Sequence, residues 1–386
     1  MRPVTVGATL AACALALAAC TAGRTPAATG PPRAGGLKLE LVGKFVVARP
    51  AGDDPLIRAR FGGVSGLAFD HSSGELLGVC DDGADSRVFV FRTSGEGTAF
   101  RVNLTAYFPL PSGPGAPEKL DAEAIALTRG GRLFVASEGT GTREPREPPA
   151  IAEYTRRVDY IGRLQVPIKF IPPATGPITH GVRGNAAFES LTLTPDETRL
   201  YTATETALAQ DGAPATTRAG TLGRILEYES EGTGFRPRRE FAYPIEPLAD
   251  PGFSPDVFIN GVVELLALDR SQLLSMERGY AEETGEPGRR MNRVQIFMVS
   301  LDGATDISGF ESIRGRSGIR PVRKTLVLDL SAVPGLAGDL AAVDNFEGMA
   351  LGPPLADGSH SLIVVADDNF NARQRTLFLL FRVAGL

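Results

Sequence analysis

Short apolar runs of β type recur along the chain, and Gly, Pro, Asp or Asn bounds each of them. Outside the N-terminal segment, almost no stretch has the spacing of an amphipathic helix. With 45 Gly and 29 Pro available for turns, this pattern predicts an all-β fold. The clearest predicted strands cover residues 87–91, 132–136, 294–299, 325–328 and 362–365.

A strand–turn–strand pattern recurs with divergence. Its first strand has a polar residue near the start, as in Phe188-Glu189-Ser190-Leu191-Thr192-Leu193, and its second is followed by an acidic residue, as in Leu200-Tyr201-Thr202-Ala203-Thr204-Glu205. The copies are spaced 58, 66, 75 and 83 residues apart, longer than compact propeller repeats, so each unit needs long loops. Their polar positions are Ser65, Glu123, Glu189, Glu264 and Glu347.

These units predict a β-propeller with long inter-strand loops. Unmatched β runs at residues 39–47 and 376–383 suggest further strands beyond the five visible units. We therefore expect six blades, with the two chain ends sharing one blade to close the ring, while five or seven blades stay open. Closure pairs edge strands that would otherwise promote aggregation.

The N-terminus has the pattern of a lipoprotein signal. An apolar run over residues 6–17 leads into Leu17-Ala18-Ala19-Cys20, which predicts a signal peptide at residues 1–19 and a lipid on Cys20. An ordinary secretory signal is the alternative, and the run is shorter than the ~20 residues of a membrane span. Residues 20–36 are predicted to be a disordered tether, and residues 37–386 one domain. We expect a monomer, exported and lipid-anchored at the cell envelope, in the periplasm or at the cell surface.

Composition excludes several kinds of site. The net charge of −5 and the lack of a basic run argue against a nucleic-acid partner. Cys80 is the one cysteine left after the signal and the lipid-bearing residue, so we expect an inert core thiol and no disulfide. The three histidines, His71, His180 and His360, lack the spacing of a zinc helix. No serine-hydrolase elbow or phosphate-binding glycine loop is present.

Acidic residues mark both strands of most units. In an antiparallel hairpin, the start of the first strand lies beside the end of the second, so both carboxylates should converge at one mouth of the propeller channel. A hard cation such as Ca²⁺ offsets the repulsion in such an oxygen-rich cluster. For any one carboxylate taken singly, a structural role between blades is the better explanation, and it is the repetition of acids at both positions that favours a metal site. The candidate metal ligands are Glu123, Glu138, Glu189, Glu205, Glu264, Glu277, Glu347, Asp367 and Asp368.

Several arginines lie near the same strand ends. A guanidinium binds phosphate in a bidentate way. Enzymes that hydrolyse phosphoesters commonly combine such an arginine with a metal ion that polarises the phosphoryl oxygen. The candidate phosphate-binding residues are Arg183, Arg224, Arg278 and Arg373.

Three segments carry a resemblance to a known family. Phe188-Glu189-Ser190-Leu191-Thr192-Leu193, Phe346-Glu347-Gly348-Met349-Ala350-Leu351 and Val365-Ala366-Asp367-Asp368-Asn369-Phe370 resemble the signatures of the phytase-like family, described as "esterase-like activity of phytase". The resemblance covers nearly all of residues 37–386 and implies an exported β-propeller that hydrolyses phosphoesters. β-Propeller phytases bind inositol phosphates with several calcium ions and with Lys and Arg side chains.

Two functional hypotheses follow. The first is a calcium-dependent phosphoester hydrolase of the esterase or phosphatase type, with a small phosphorylated or ester substrate; a calcium-dependent lactonase is a related alternative. The second is a non-catalytic lipoprotein that binds a ligand or an envelope partner at the propeller mouth.

Overall fold

The computed structural model describes residues 36–47, 60–111, 116, 120–141, 143–232, 234–248, 251–285, 288–334, 336 and 343–386. The predicted signal peptide, Cys20 and nearly all of the predicted tether lie outside these residues. The described part contains strands and two short 3₁₀ helices, Ile168–Phe170 and Leu330–Ala332. Among the described residues, no helix is both long and apolar enough to cross a membrane.

The strands form five antiparallel sheets of four strands each within the described part of the chain. The first two blades are β2 (Val64–Asp70), β3 (Glu75–Cys80), β4 (Arg87–Ser94), β5 (Arg101–Pro109) and β6 (Ala122–Leu127), β7 (Arg132–Ser137), β8 (Ala150–Thr155), β9 (Tyr160–Arg163). The third and fourth are β10 (Thr192–Leu193), β11 (Arg199–Ala203), β12 (Thr221–Glu231), β13 (Gly234–Ile245) and β14 (Val257–Ala267), β15 (Gln272–Glu282), β16 (Arg290–Ser300), β17 (Arg323–Asp329). The fifth is β18 (Phe346–Leu351), β19 (His360–Ala366), β20 (Thr376–Ala384) with β1 (Lys38–Val47).

The fifth blade is closed by both ends of the domain. β1 pairs antiparallel with β20 from Lys38 opposite Ala384 to Val47 opposite Thr376. The expected closure is therefore present, and the described residues form five blades, one of the two alternatives left open beside the expected six. The runs at 39–47 and 376–383 are the two outer strands of the fifth repeat, so they add no blade of their own.

Apolar packing between blades forms the core. Five clusters of buried apolar residues each join two neighbouring sheets, and the cluster between blades five and one includes Val47, Phe91 and Phe378. Cys80 belongs to that cluster and is fully buried, as predicted. Strands such as β19 are buried along almost their whole length because a neighbouring blade covers each face.

The first strands of the five blades surround a central axis. β2, β6, β10, β14 and β18 contact one another in that order, and β18 contacts β2. The approach is close: a Cβ added to Gly66 would lie 2.7 Å from the Cα of Ala124, and one added to Gly348 would lie 2.6 Å from the carbonyl oxygen of Ser65. Side chains at the ends of these strands are therefore brought together at the mouths of one narrow channel.

Candidate metal centre at the channel mouth

Each inner strand has an extra residue at the same point near its start. The register shifts between Val64 and Gly66 in β2, and likewise at Ala122/Ala124, Val262/Glu264 and Phe346/Gly348. In the third blade Phe188 pairs with Thr204 and Thr192 with Tyr201, which also leaves one extra residue. A β-bulge of this kind re-aims a side chain. The bulged residues, taking the one after Phe188 in blade three, are Ser65, Glu123, Glu189, Val263 and Glu347.

These five bulged residues form one ring around the channel. A second ring consists of one residue from the adjacent strand of each blade. In four blades, the residue just after the second strand donates its backbone N–H to a carbonyl oxygen of the first strand's approach, at 2.8–3.1 Å. The accepting residue lies two positions before the bulge, as Gly63 does for Asp81. In the fourth blade the equivalent residue pairs directly with Gly261. The members of this ring are Asp81, Glu138, Glu205, Arg278 and Asp367.

The two rings lie at one mouth of the channel, beside a cavity of about 800 Å³. The sequence predicts that antiparallel hairpins bring carboxylates from different blades to one mouth of the channel, and this placement agrees with that prediction. The carboxylate residues lining the cavity are Asp81, Asp121, Glu123, Glu138, Glu189, Glu205, Glu282, Asp344 and Glu347.

The second blade contributes a group of three carboxylates that can hold a metal ion. Asp121, Glu123 and Glu138 each offer an oxygen, and these oxygens all lie within 4.8 Å of one another. One oxygen of Glu138 also accepts the backbone N–H of Ala187 at 2.9 Å, which ties blade two to blade three. Glu138 therefore combines the structural role with a position in the cluster.

Burial and crowding raise the pKa values of these carboxyl groups. Burial raises the pKa of Asp121 to about 6, and the Glu138 carboxylate adds to the increase. Burial, with Glu347 and Asp121 nearby, raises the pKa of Asp81 to about 7. Burial and then Glu138 hold the pKa values of Glu123 and Glu189 well above the ordinary range. Such like-charge crowding is relieved when a cation binds.

Several polar atoms at the mouth lack hydrogen bonds. Asp81 Oδ1, Glu205 Oε1 and Asn345 Nδ2 are buried and have no hydrogen-bond partner. Glu205 is 4% exposed, and its Oε1 lies 3.7 Å from Arg278 Nη2. Because buried polar atoms normally have hydrogen-bond partners, these atoms mark places where a ligand would fit.

Two predicted ligands in the fourth blade are displaced by one residue. Val263 occupies the bulge, and Glu264 pairs with Met276 instead. Glu277 pairs with Val262, and Arg278 takes the ring position. Because side chains alternate along a strand, this offset turns both glutamates away from the cavity. Glu277 contacts Tyr243 and Lys324, and Glu264 accepts the backbone N–H of Leu265 at 2.9 Å.

The predicted ligands of the fifth blade have different environments. Glu347 lines the cavity, whereas Asp367 is fully buried, with its pKa raised well above the ordinary range by burial and then by Asp81 and Glu347. Asp368 accepts the backbone N–H of Gly63 at 3.0 Å and therefore joins blade five to blade one.

The predicted arginines divide into two groups. Arg278 and Arg373 line the cavity. Arg224 is instead fully buried between Asp211 and Glu240, with N–O distances of 2.7 and 2.6 Å. Arg183 donates to the carbonyls of Ala207 and Gly212. Their own hydrogen-bond partners hold these last two side chains away from the mouth.

Asp121 was not among the predicted ligands, although it is the residue immediately before β6. The strand-end pattern identifies the bulged glutamates, and no rule of spacing identifies the residue two positions earlier. In the other blades, that position holds Gly63, Ala187, Gly261 and Asn345, so the repeat itself conceals an acid found there in one copy.

Comparison with known proteins gives one family. The profile described as "Phytase-like: Esterase-like activity of phytase" matches residues 59–370. An "Uncharacterized secreted protein" of Arthroderma benhamiae is 25% identical over 153 residues, covering 34% of this chain. The aligned part spans 28% of that relative, little more than a quarter of its length.

Solved structures of similar shape have little sequence in common with the chain. An endo-arabinase from Bacteroides thetaiotaomicron is 10% identical with a TM-score of 0.41, covering 84% of this chain and 95% of the enzyme. A periplasmic gluconolactonase from Pseudomonas aeruginosa is 15% identical with a TM-score of 0.33, covering 90% and 96%. The assignment of the fold therefore depends on the strand pairing described above.

Proposed function

The chain belongs to the Phytase-like family, and from that premise we propose that it is a calcium-dependent hydrolase of phosphate esters acting at the channel mouth. One observation carries the proposal: Asp121, Glu123 and Glu138 bring carboxylate oxygens within 4.8 Å of one another on the wall of an 800 Å³ cavity. A cavity of this size suits a small molecule.

The residues present fit calcium. The donors are all carboxylate or amide oxygens, which Ca²⁺ prefers, and Asn185 also lines the cavity. The raised pKa values of Asp121 and Glu123 indicate crowded charges that a divalent cation would offset. In such a site, calcium would polarise the phosphoryl oxygen and offset developing negative charge.

The chain's own residues have separate roles in this proposal. Arg373 is exposed at the cavity and would bind the phosphate through its guanidinium. Asp81 is the candidate general base, because burial raises its pKa to about 7 and its Oδ1 has no hydrogen-bond partner. A carboxylate with that pKa accepts a proton from water near neutral pH.

We also propose that the protein is a monomer exported and anchored by a lipid on Cys20. The apolar run ending in Leu17-Ala18-Ala19-Cys20 supports this, as does the description of the Arthroderma relative as secreted. Mass spectrometry of the mature N-terminus tests it: a diacylated peptide beginning at Cys20 is expected, and an unmodified one contradicts the anchor.

Substitution of the carboxylate group tests the enzyme function. With p-nitrophenyl phosphate and phytate as substrates, hydrolysis should require calcium and stop with a chelator. Glu123→Gln keeps the size but removes a charged ligand, so we expect a rate loss on the order of 100-fold. The control is Glu283→Gln, because Glu283 pairs with Arg289 outside the cavity. Activity that is equal in chelator and calcium contradicts the proposal.

A non-catalytic binding protein is the second candidate. It is favoured by the structural use of part of the ring, since Glu138 binds the Ala187 N–H and Arg278 is paired with Glu347. Calcium binding without turnover of phosphate esters or lactones would support this function. Turnover of lactones alone would instead support the lactonase.

A further inference from the structure

The fourth blade breaks the acidic ring with a basic residue. The ring position holds Asp81, Glu138, Glu205 and Asp367, each just after a second strand, in the other blades, and Arg278, which lies within β15, in this one. The bulge of the same blade holds Val263 where three others hold glutamate. The ring thus loses two acids and gains one permanent positive charge on one side of the channel.

Arg278 is held by carboxylates from both neighbouring blades. Its Nη1 donates to Glu347 Oε1 and to Asn345 Oδ1, and its Nη2 lies 3.7 Å from Glu205 Oε1. The Arg278 side chain is 14% exposed, and those of Glu205 and Glu347 are 5% and 15% exposed. The positive charge of this guanidinium offsets the negative charge of the same carboxylate oxygens, as a bound metal cation would.

The other side of the mouth lacks such a partner. Among the described residues, no ion pair involves Asp121, Glu123 or Glu138, although Arg143 lowers the pKa of Asp121 from a distance. Burial opposes charge on Arg278, yet Glu347 and Glu205 raise its pKa, so it stays charged. The mouth is therefore divided into a neutralised half and an acidic half.

We propose that Arg278 is a built-in counter-ion that occupies the place of a second divalent cation and confines calcium to Asp121, Glu123 and Glu138. The second part of this statement rests on the proposed function. Arg278 is thus a positioning residue, because it fixes where the ion binds without being needed to contact the substrate.

Calcium stoichiometry tests the inference. Isothermal titration of the full chain with CaCl₂ should give one ion for the wild type and two for Arg278→Gln, since the neutral amide frees Glu205, Glu347 and Asn345 to bind calcium. Arg278→Lys keeps the charge and should restore one ion. The control is Arg290→Gln, which removes an arginine of the same cavity that pairs with Glu282; it should bind one ion.

The outcomes separate this inference from the proposed function. An unchanged single ion in Arg278→Gln, with unchanged affinity, overturns the counter-ion role and leaves the proposed site intact. No ion in the wild type but one in Arg278→Gln supports the counter-ion role and removes the proposed site. If Arg278→Gln is unfolded in chelator, refolding on addition of calcium supports the inference, and failure to refold with calcium overturns it.

Discussion

Glu264 lies between the inner strands of three blades. Its Oε1 accepts the N–H of Leu265 at 2.9 Å, its Oε2 lies 3.5 Å from the N–H of Met349, and the N–H of Leu191 is also within reach. The other blades have Gly66, Ala124, Ser190 and Gly348 at this position, so there is room for one long side chain. The carboxyl group of Glu264 therefore links blades three, four and five from inside the channel.

Replacement of Glu264 should change the pH dependence of stability. Burial raises the pKa of Glu264 well above 4.5, so the folded protein keeps a proton that the unfolded chain releases. Its contribution is present below about pH 4.5 and declines as pH rises toward the folded pKa, by up to about 1.4 kcal/mol per pH unit. Glu264→Gln cannot titrate. Urea unfolding between about pH 5 and pH 8 should show the wild type losing stability relative to the variant; parallel curves would refute this.

The fourth blade shows why residue positions at the mouth could not all be predicted. The sequences around Glu264 and Glu277 match the acidic pattern of the other copies, which predicts both as metal ligands. Because Val262 pairs with Glu277, the bulge falls on Val263 and the second ring position on Arg278, each one residue away from the predicted glutamate. A bulge is a backbone feature, and no single side chain in the sequence marks it.

At the level of elements, apolar runs predicted strands well. Residues 132–136, 294–299 and 362–365 fall within β7, β16 and β19. β7 and β19 are covered on both faces, so burial selects apolar residues along their length. In β16, by contrast, buried and half-buried residues alternate from Val294 to Met298. The number of blades could not be read in the same way, because an outer strand from either chain end has the same pattern as the start of a new repeat.

The closing strand β1 provides a test at this level. Its pairing with β20 is irregular between Leu41 and Gly43, where a Cβ on Gly43 would lie only 2.8 Å from the Cβ of Phe100. Gly43→Ala should therefore reduce the free energy of unfolding by about 1–3 kcal/mol, measured by urea denaturation.

The control for Gly43→Ala is Gly162→Ala, in the outer strand β9, where an added Cβ meets no atom within 4 Å. That variant should stay within about 0.5 kcal/mol of the wild type. Equal stabilities for the two variants would show that the packing of β1 against Phe100 does not contribute to closure.

The whole molecule explains how residues distant in sequence form one site. Five hairpins place their bulged residues and the residues after their second strands at one end of the channel, as antiparallel pairing alone predicts. The asymmetry of the mouth could not be predicted, because it depends on Asp121 in blade two and Arg278 in blade four. The proposed chemistry depends on that asymmetry.

Anomalous diffraction from crystals grown with Mn²⁺ in place of calcium tests the central claim most directly. The account predicts one strong peak at the channel mouth, bounded by carboxylate oxygens of Asp121, Glu123 and Glu138. Their oxygens are already within 4.8 Å of one another, so little movement is needed. A map with no peak among these three residues, or with the ion beside Glu205 and Glu347 instead, would contradict it.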